Sequence, residues 1–129
     1  YNGGMTVMMC RGIRGATTVT TNSKDAIIEA TTEMLTEIVS ENGFNQVDIA
    51  GVWFTTTPDL DAEFPAVAAR VNLGWVGPAL INGHEIAVPG SLPMCIRVLL
   101  LVNTEKTQQE IKFVYLRGAI GLRERDGKK

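Results

Sequence analysis

The segment Cys95-Ile96-Arg97-Val98-Leu99-Leu100-Leu101-Val102 constrains this chain more than any other. It is short, almost continuously apolar, and reads as a strand over residues 94–103. Its near-unbroken apolar character predicts burial on both faces. A strand of that kind needs a domain around it, and 129 residues supply one. A chain of this length buries roughly two-thirds of the surface its unfolded form exposes. Hydrophobic residues make up 45% and charged residues 20%, which excludes disorder. The longest wholly apolar run, Val98 to Val102, is far short of the roughly 20 residues that span a bilayer.

Arg97 interrupts this strand. A buried charge must be paired or used, because isolated burial costs several kcal/mol or more. Three readings are open: an ion pair with a core carboxylate, a strand-end side chain reaching water, or a binding group.

The rest of the chain surrounds that strand with alternating elements. Residues 8–19 read as a strand, with a bulge or a close backbone approach at Gly12 and Gly15. Asn22 offers an N-cap, with Asp25 three residues on. Ile27, Ile28, Thr31, Met34, Leu35, Ile38 and Val39 then recur at helical spacing. Glu29, Glu33, Glu37 and Glu41 form the solvated stripe, and Asn42-Gly43 ends the helix. Asp48 to Thr57 is a second strand closed by Pro58-Asp59. Pro65 opens a short helix from Ala66 to about Asn72, stopped by Gly74. Short extended pieces are expected at 79–82 and 86–88. Thr107 to Glu110 spells a capping box and predicts a helix carrying Ile111, Val114 and Tyr115 on one side, ended by Gly118. Ala119 to Leu122 reads as a last strand. The pattern predicts one α+β (mixed α/β) domain with a mixed sheet packed by helices. Its expected limits are residues 5–123. Residues 1–4 lack a Met and read as a cloning scar. Residues 124–129 read as a flexible polar tail.

Composition removes most catalytic chemistries. His84 is the only histidine, and Cys10 and Cys95 are the only cysteines. That leaves few ways to build a metal site, and any triad or Cys–His pair would have to use His84. The two cysteines do not form a CxxC pair and read as buried, reduced thiols of a cytoplasmic protein. The net charge of -2 is not that of a nucleic-acid binder. Neither GxxxxGK[ST] nor GxGxxG is present, so no phosphate loop is expected. Arginine outnumbers lysine, which suits bidentate recognition of carboxylates.

Arg11-Gly12-Ile13-Arg14-Gly15 is the second notable feature. A regular strand puts Arg11 and Arg14 on opposite faces, and a bulge at Gly12 would change that. Glu85 lies in a Gly/Pro-rich stretch, where loops on a rigid scaffold often carry function. Trp53 and Trp75 read as core or interface anchors.

Four blocks together resemble the trimeric, monofunctional chorismate mutases of the AroH class. They are Arg11-Gly12-Ile13-Arg14-Gly15-Ala16-Thr17-Thr18-Val19; Thr57-Pro58-Asp59-Leu60 with Phe64-Pro65-Ala66; Glu85 to Val88 leading to Cys95-Ile96-Arg97-Val98; and Val114-Tyr115-Leu116 with Leu122-Arg123. The resemblance covers residues 9–123. It implies conversion of chorismate to prephenate, at the branch to phenylalanine and tyrosine, with no cofactor, metal or covalent intermediate. It also implies a homotrimer, a pseudo-α/β-barrel with sites between subunits. Position by position, Arg97 would donate to the ether oxygen, Arg14 and Tyr115 would bind the enolpyruvyl carboxylate, and Glu85 would accept from the ring hydroxyl. Phe64, Ala66 and Arg70 would form the site wall. Leu80, Ile81 and Leu122 would line its apolar part. Asn82 stands where the best-known members carry Cys, and it would donate toward Glu85. Val67 stands where they carry Lys, removing one charge that steers an anionic substrate. A trimeric imine or enamine deaminase and a non-catalytic carboxylate-binding trimer are the alternative functions.

Overall fold

In the computed structural model, which describes residues 7–122, the helix α1 (Lys24–Asn42) lies across one face of a five-stranded sheet. The strands are β1 (Met9–Thr18), β2 (Ile49–Thr56), β3 (Ala79–His84), β4 (Cys95–Thr104) and β5 (Val114–Tyr115), in the order β3-β2-β4-β1-β5. β4 pairs antiparallel with both β1 and β2, whereas β3 joins β2 and β5 joins β1 in parallel. The sheet is therefore mixed, as the alternation of elements predicts.

The periodicity of α1 matches its burial. Ile27, Ala30, Met34, Leu35 and Ile38 are fully buried. They pack on Ile13, Val52, Phe54, Ile96, Leu100 and Val102 from the sheet. Glu29, Glu33, Glu37 and Glu41 are exposed. Gly43 ends the helix at φ 65°, a left-handed conformation that favours glycine. The N-cap is Ser23 rather than Asn22: the Ser23 hydroxyl accepts from the Ala26 N–H at 3.2 Å. Asn22 is spent elsewhere, accepting from the N–H groups of Asp61 and Ala62 and donating to the Asp61 carboxylate at 2.7 Å.

β4 is central but not buried on both faces within one chain. Its burial alternates, with Ile96, Val98, Leu100 and Val102 under α1 and Leu99 36% exposed on the other side. The expected bulge in β1 is absent. Register with β4 runs unbroken from Met9↔Thr104 to Thr18↔Cys95, and the irregularity lies in β2, between Ile49 and Gly51. Close approach at Gly15 is real. A Cβ there would stand 2.7 Å from Ile38 Cδ1 and 3.1 Å from Val98 Cγ1.

Two elements near the C-terminus depart from the sequence pattern. The capping box at Thr107 forms, but only a single turn follows, Gln108–Glu110. Its outward side chains are drawn into tertiary bonds that a helix could not keep. Gln108 exchanges two hydrogen bonds with the Gly12 backbone, and the Asn42 amide clamps the Lys112 backbone from both sides. The chain is thereby held extended, and Val114-Tyr115 adds to the sheet. The strand expected at 119–122 is instead helical: a turn at Arg117–Ala119 runs into helical residues to Leu122. β5 already occupies that edge of β1, and Arg117, at φ 52°, turns the chain off the sheet. The short helix after Pro65 appears as a wide π-type turn, Ala68–Asn72, whose Leu73 N–H reaches back to Ala68 O. No regular extended segment forms at 86–88. Residues 1–4 and the tail beyond 122 lie outside the described residues.

Candidate active site on the open sheet face

The face of the sheet away from α1 carries a cleft of about 330 Å³, lined by Arg14, Trp53, Thr55, Glu85, Arg97 and Tyr115 among others. Strand register explains why these side chains meet. Thr55, Arg97, Ala16 and Tyr115 lie in one cross-strand row, since Thr55 pairs with Arg97, Arg97 with Ala16, and Ala16 with Tyr115. Trp53, Leu99 and Arg14 form the next row, two residues along each strand. Period-2 alternation puts both rows on one face. Arg11 and Arg14 therefore diverge as a regular strand requires. Arg11 donates from Nε to Lys106 O at 2.9 Å, whereas Arg14 enters the cleft with its guanidinium 5.6 Å from the Phe113 ring centroid.

The loop segments fix the remaining positions. Glu85 follows β3 and stays in line because its N–H donates to Thr56 O at 2.8 Å. β4 starts at a tightly bonded corner. Thr57 and Cys95 exchange backbone and hydroxyl bonds at 3.0 Å, and Asp59 accepts from the Met94 N–H at 3.0 Å. Thr57 also donates to Asp59. The Thr57 hydroxyl holds the Asp59 carboxyl below its ordinary value, helped by the Met94 N–H and opposed by slight desolvation. This corner anchors the strand two residues before Arg97.

Arg97 and Glu85 approach to 3.8 Å with side chains 38% and 32% exposed. An ion pair that open contributes little to stability, so both groups remain available to a ligand. Arg97 is neither deeply buried nor frayed at a strand end: it lines a cavity. Burial pushes the Cys95 thiol up, and the Arg97 guanidinium offsets this only in part. Cys95 is thus a neutral core group, not a nucleophile. Cys10, expected to be buried, is exposed because it sits near the free start of β1.

The other expected residues are distributed around this cleft rather than in it. Phe64 and Asn82 line a second cavity of about 390 Å³, and Phe64 is 65% exposed. The Asn82 amide oxygen accepts from the Ala66 N–H at 3.0 Å, which ties β3 to the short helix. Arg70 is exposed on that helix. Leu80 and Ile81, as neighbours in β3, face opposite ways: Leu80 packs on the core, and Ile81 is 54% exposed beside Trp53 and Leu101. Leu122 is buried with Ala16, Ala119 and Cys95, beneath Tyr115. Thr55 was not singled out by its sequence context. Its only signal is its place between the buried residues Phe54 and Thr56, which puts it on the outer face.

Residues 10–126 match the chorismate mutase type I family. The chain is 47% identical over 116 residues to chorismate mutase AroH of Thermus thermophilus, covering 89% of this chain and 94% of that protein. It is 40% identical over 116 residues to chorismate mutase AroH of Bacillus subtilis, covering 90% and 91%. A solved chorismate mutase from Clostridium thermocellum superposes with a TM-score of 0.82 at 53% identity, over 84% of this chain and 96% of that one. The chain belongs to the chorismate mutase type I family. Its activity is that of a chorismate mutase, an isomerase, which decides against the deaminase and the non-catalytic binder.

Proposed function

We propose that the cleft at Arg14, Glu85, Arg97 and Tyr115 binds chorismate and rearranges it to prephenate by holding a reactive conformer and stabilising the charge that develops. The observation that carries this reading is the convergence of two arginines, one carboxylate and one phenol on a single open face. The reaction is a Claisen rearrangement. The ether C–O bond breaks as a C–C bond forms, negative charge grows on the ether oxygen, and no proton transfer or nucleophile is required. Arg97 donates to that oxygen. Donors fixed before the reaction stabilise developing charge without reorganising. Arg14 and Tyr115 hold the enolpyruvyl carboxylate, and Glu85 accepts from the ring hydroxyl. Holding both ends of the substrate removes orientational freedom from the barrier.

The site is completed by a neighbouring copy in a homotrimer with three sites. Trp53, Ile81 and Leu99 leave 50%, 54% and 36% of their surface exposed on the cleft face, an apolar patch suited to association. Phe64, Ala66, Arg70 and Asn82 lie outside the Arg97 cleft of their own chain, so their contribution to the wall comes across such an interface. Among the described residues no helix is long and apolar enough to cross a membrane. The two unpaired cysteines support a reducing, cytoplasmic setting.

Loss of the ultraviolet absorbance of chorismate on adding micromolar protein tests the activity. An unchanged trace would overturn it. Sedimentation of the same sample tests the trimer, and a monomeric active species would overturn the shared site.

A further inference from the structure

We infer that Thr55 is a positioning residue that holds Glu85 off Arg97 and so keeps both groups free for substrate. The inference rests on the proposed role of Glu85 in the cleft. The Thr55 hydroxyl donates to Glu85 Oε2 at 2.5 Å, the length of a charge-assisted O–H···O bond. Arg97 Nε approaches that same oxygen but stays 3.8 Å away. Thr55 is also the cross-strand partner of Arg97, so one β-ladder position controls both charges. The Thr55 side chain is stiff because it is branched at Cβ. Its backbone is held in two ladders, paired with Gly83 on one side and Arg97 on the other. A rigid donor therefore selects one Glu85 oxygen, leaving Oε1 to accept from a ligand hydroxyl.

Without the hydroxyl, the flexible Glu85 and Arg97 side chains can close from 3.8 Å to a direct, bidentate pair. Such a pair would occupy the guanidinium that the reaction needs and the carboxylate that orients the substrate. The loss would fall on turnover more than on affinity.

The test is a set of variants in the full-length protein: Thr55→Val, which keeps the shape and removes the donor, Thr55→Ser, which restores it, and Glu85→Ala with and without Thr55→Val. Hydrogen bonds to charged groups correspond to roughly tenfold to a hundredfold effects. We expect Thr55→Val to lower kcat by about tenfold or more, with a smaller change in KM and an unchanged melting temperature. Thr55→Ser should recover most of the activity. In the Glu85→Ala background, Thr55→Val should have almost no further effect. Normal kcat in Thr55→Val, or the same loss with and without Glu85, would overturn the positioning role. If Glu85→Ala itself leaves turnover intact, the reading of Glu85 fails, and that result is separate from the behaviour of Thr55.

Discussion

On the helix side of the sheet, Ile13, Val52, Phe54, Ile96, Leu100 and Val102 are at most 1% exposed and pack on α1. One residue along the same strands stand Arg14, Trp53, Arg97 and Leu99, which line an open cleft. The first set is held by excluded water and close packing, so its members matter for stability. The second set is partly solvated and gains less from folding, so its members matter less for stability. The contrast shows how a ten-residue strand such as β4 supplies core and candidate site together.

The largest effect expected from breaking this division is at Arg97. Arg97→Ala should lower kcat by about a hundredfold to a thousandfold, the range seen when one fixed donor to a developing oxyanion is lost. Its circular dichroism and melting temperature should stay near those of the parent, because the side chain is partly solvated. Arg97→Lys should also be severe, since an ammonium lacks the planar fork. Retained turnover in either variant would remove Arg97 from its role.

Leu100 and Leu99 sharpen the same comparison with chemically identical neighbours. Leu100→Ala should lower unfolding free energy by about 2–5 kcal/mol in denaturant titration, through lost burial and a residual cavity. Leu99→Asp should instead shift the sedimenting species toward monomer and reduce activity. An unchanged oligomer in that variant would contradict the proposed interface.

A third test is Gly15→Ala, which adds one methyl where β1 meets α1. The new Cβ would stand 2.7 Å from Ile38 Cδ1 and 3.3 Å from Val114 O. Overpacking of this kind costs about 1–3 kcal/mol, and Ile38 can yield only in part because it is itself fully buried. Thermal unfolding at fixed pH reads it.

The smallest effect concerns pH. The Asp59 carboxyl titrates below its ordinary value because Thr57 and the Met94 N–H bond its charged form. A depressed folded value means its contribution to stability is present above the ordinary carboxylate pKa of about 4 and is lost as pH falls through the lower, folded value. Asp59 is exposed, so solvent screens the effect. Asp59→Asn should slightly flatten the fall in melting temperature below about pH 4. An identical acid profile would show that the corner does not depend on this charge.

Much of the architecture was legible locally. The spacing of Ile27, Met34, Leu35 and Ile38 defines α1, and the apolar run of β4 defines the central strand. The end of the chain was not legible in that way. Thr107 and Glu110 form their capping box, yet Asn42 and Gln108 make bonds across about 70 and 96 residues of sequence that hold the next segment extended. The amide that decides the outcome is remote in the chain, and no window of neighbouring residues contains it. The candidate site divides similarly. Arg14, Glu85, Arg97 and Tyr115 were recognisable from motif blocks, whereas the Thr55 contact to Glu85 comes from two strands meeting in register.

The sequence by itself determined which elements could form and which side chains carry charge, because helical and strand periodicities and residue chemistry are local properties. Composition also narrowed the candidate catalytic groups to carboxylates, arginines and backbone groups, since one histidine and two cysteines leave few alternatives. Only the tertiary structure decided that Thr55, Arg97, Ala16 and Tyr115 form a single row, and that Leu80 and Ile81 part to opposite faces. Strand order and register set those neighbours, and they are chosen by the packing of the whole sheet against α1 rather than by any one segment.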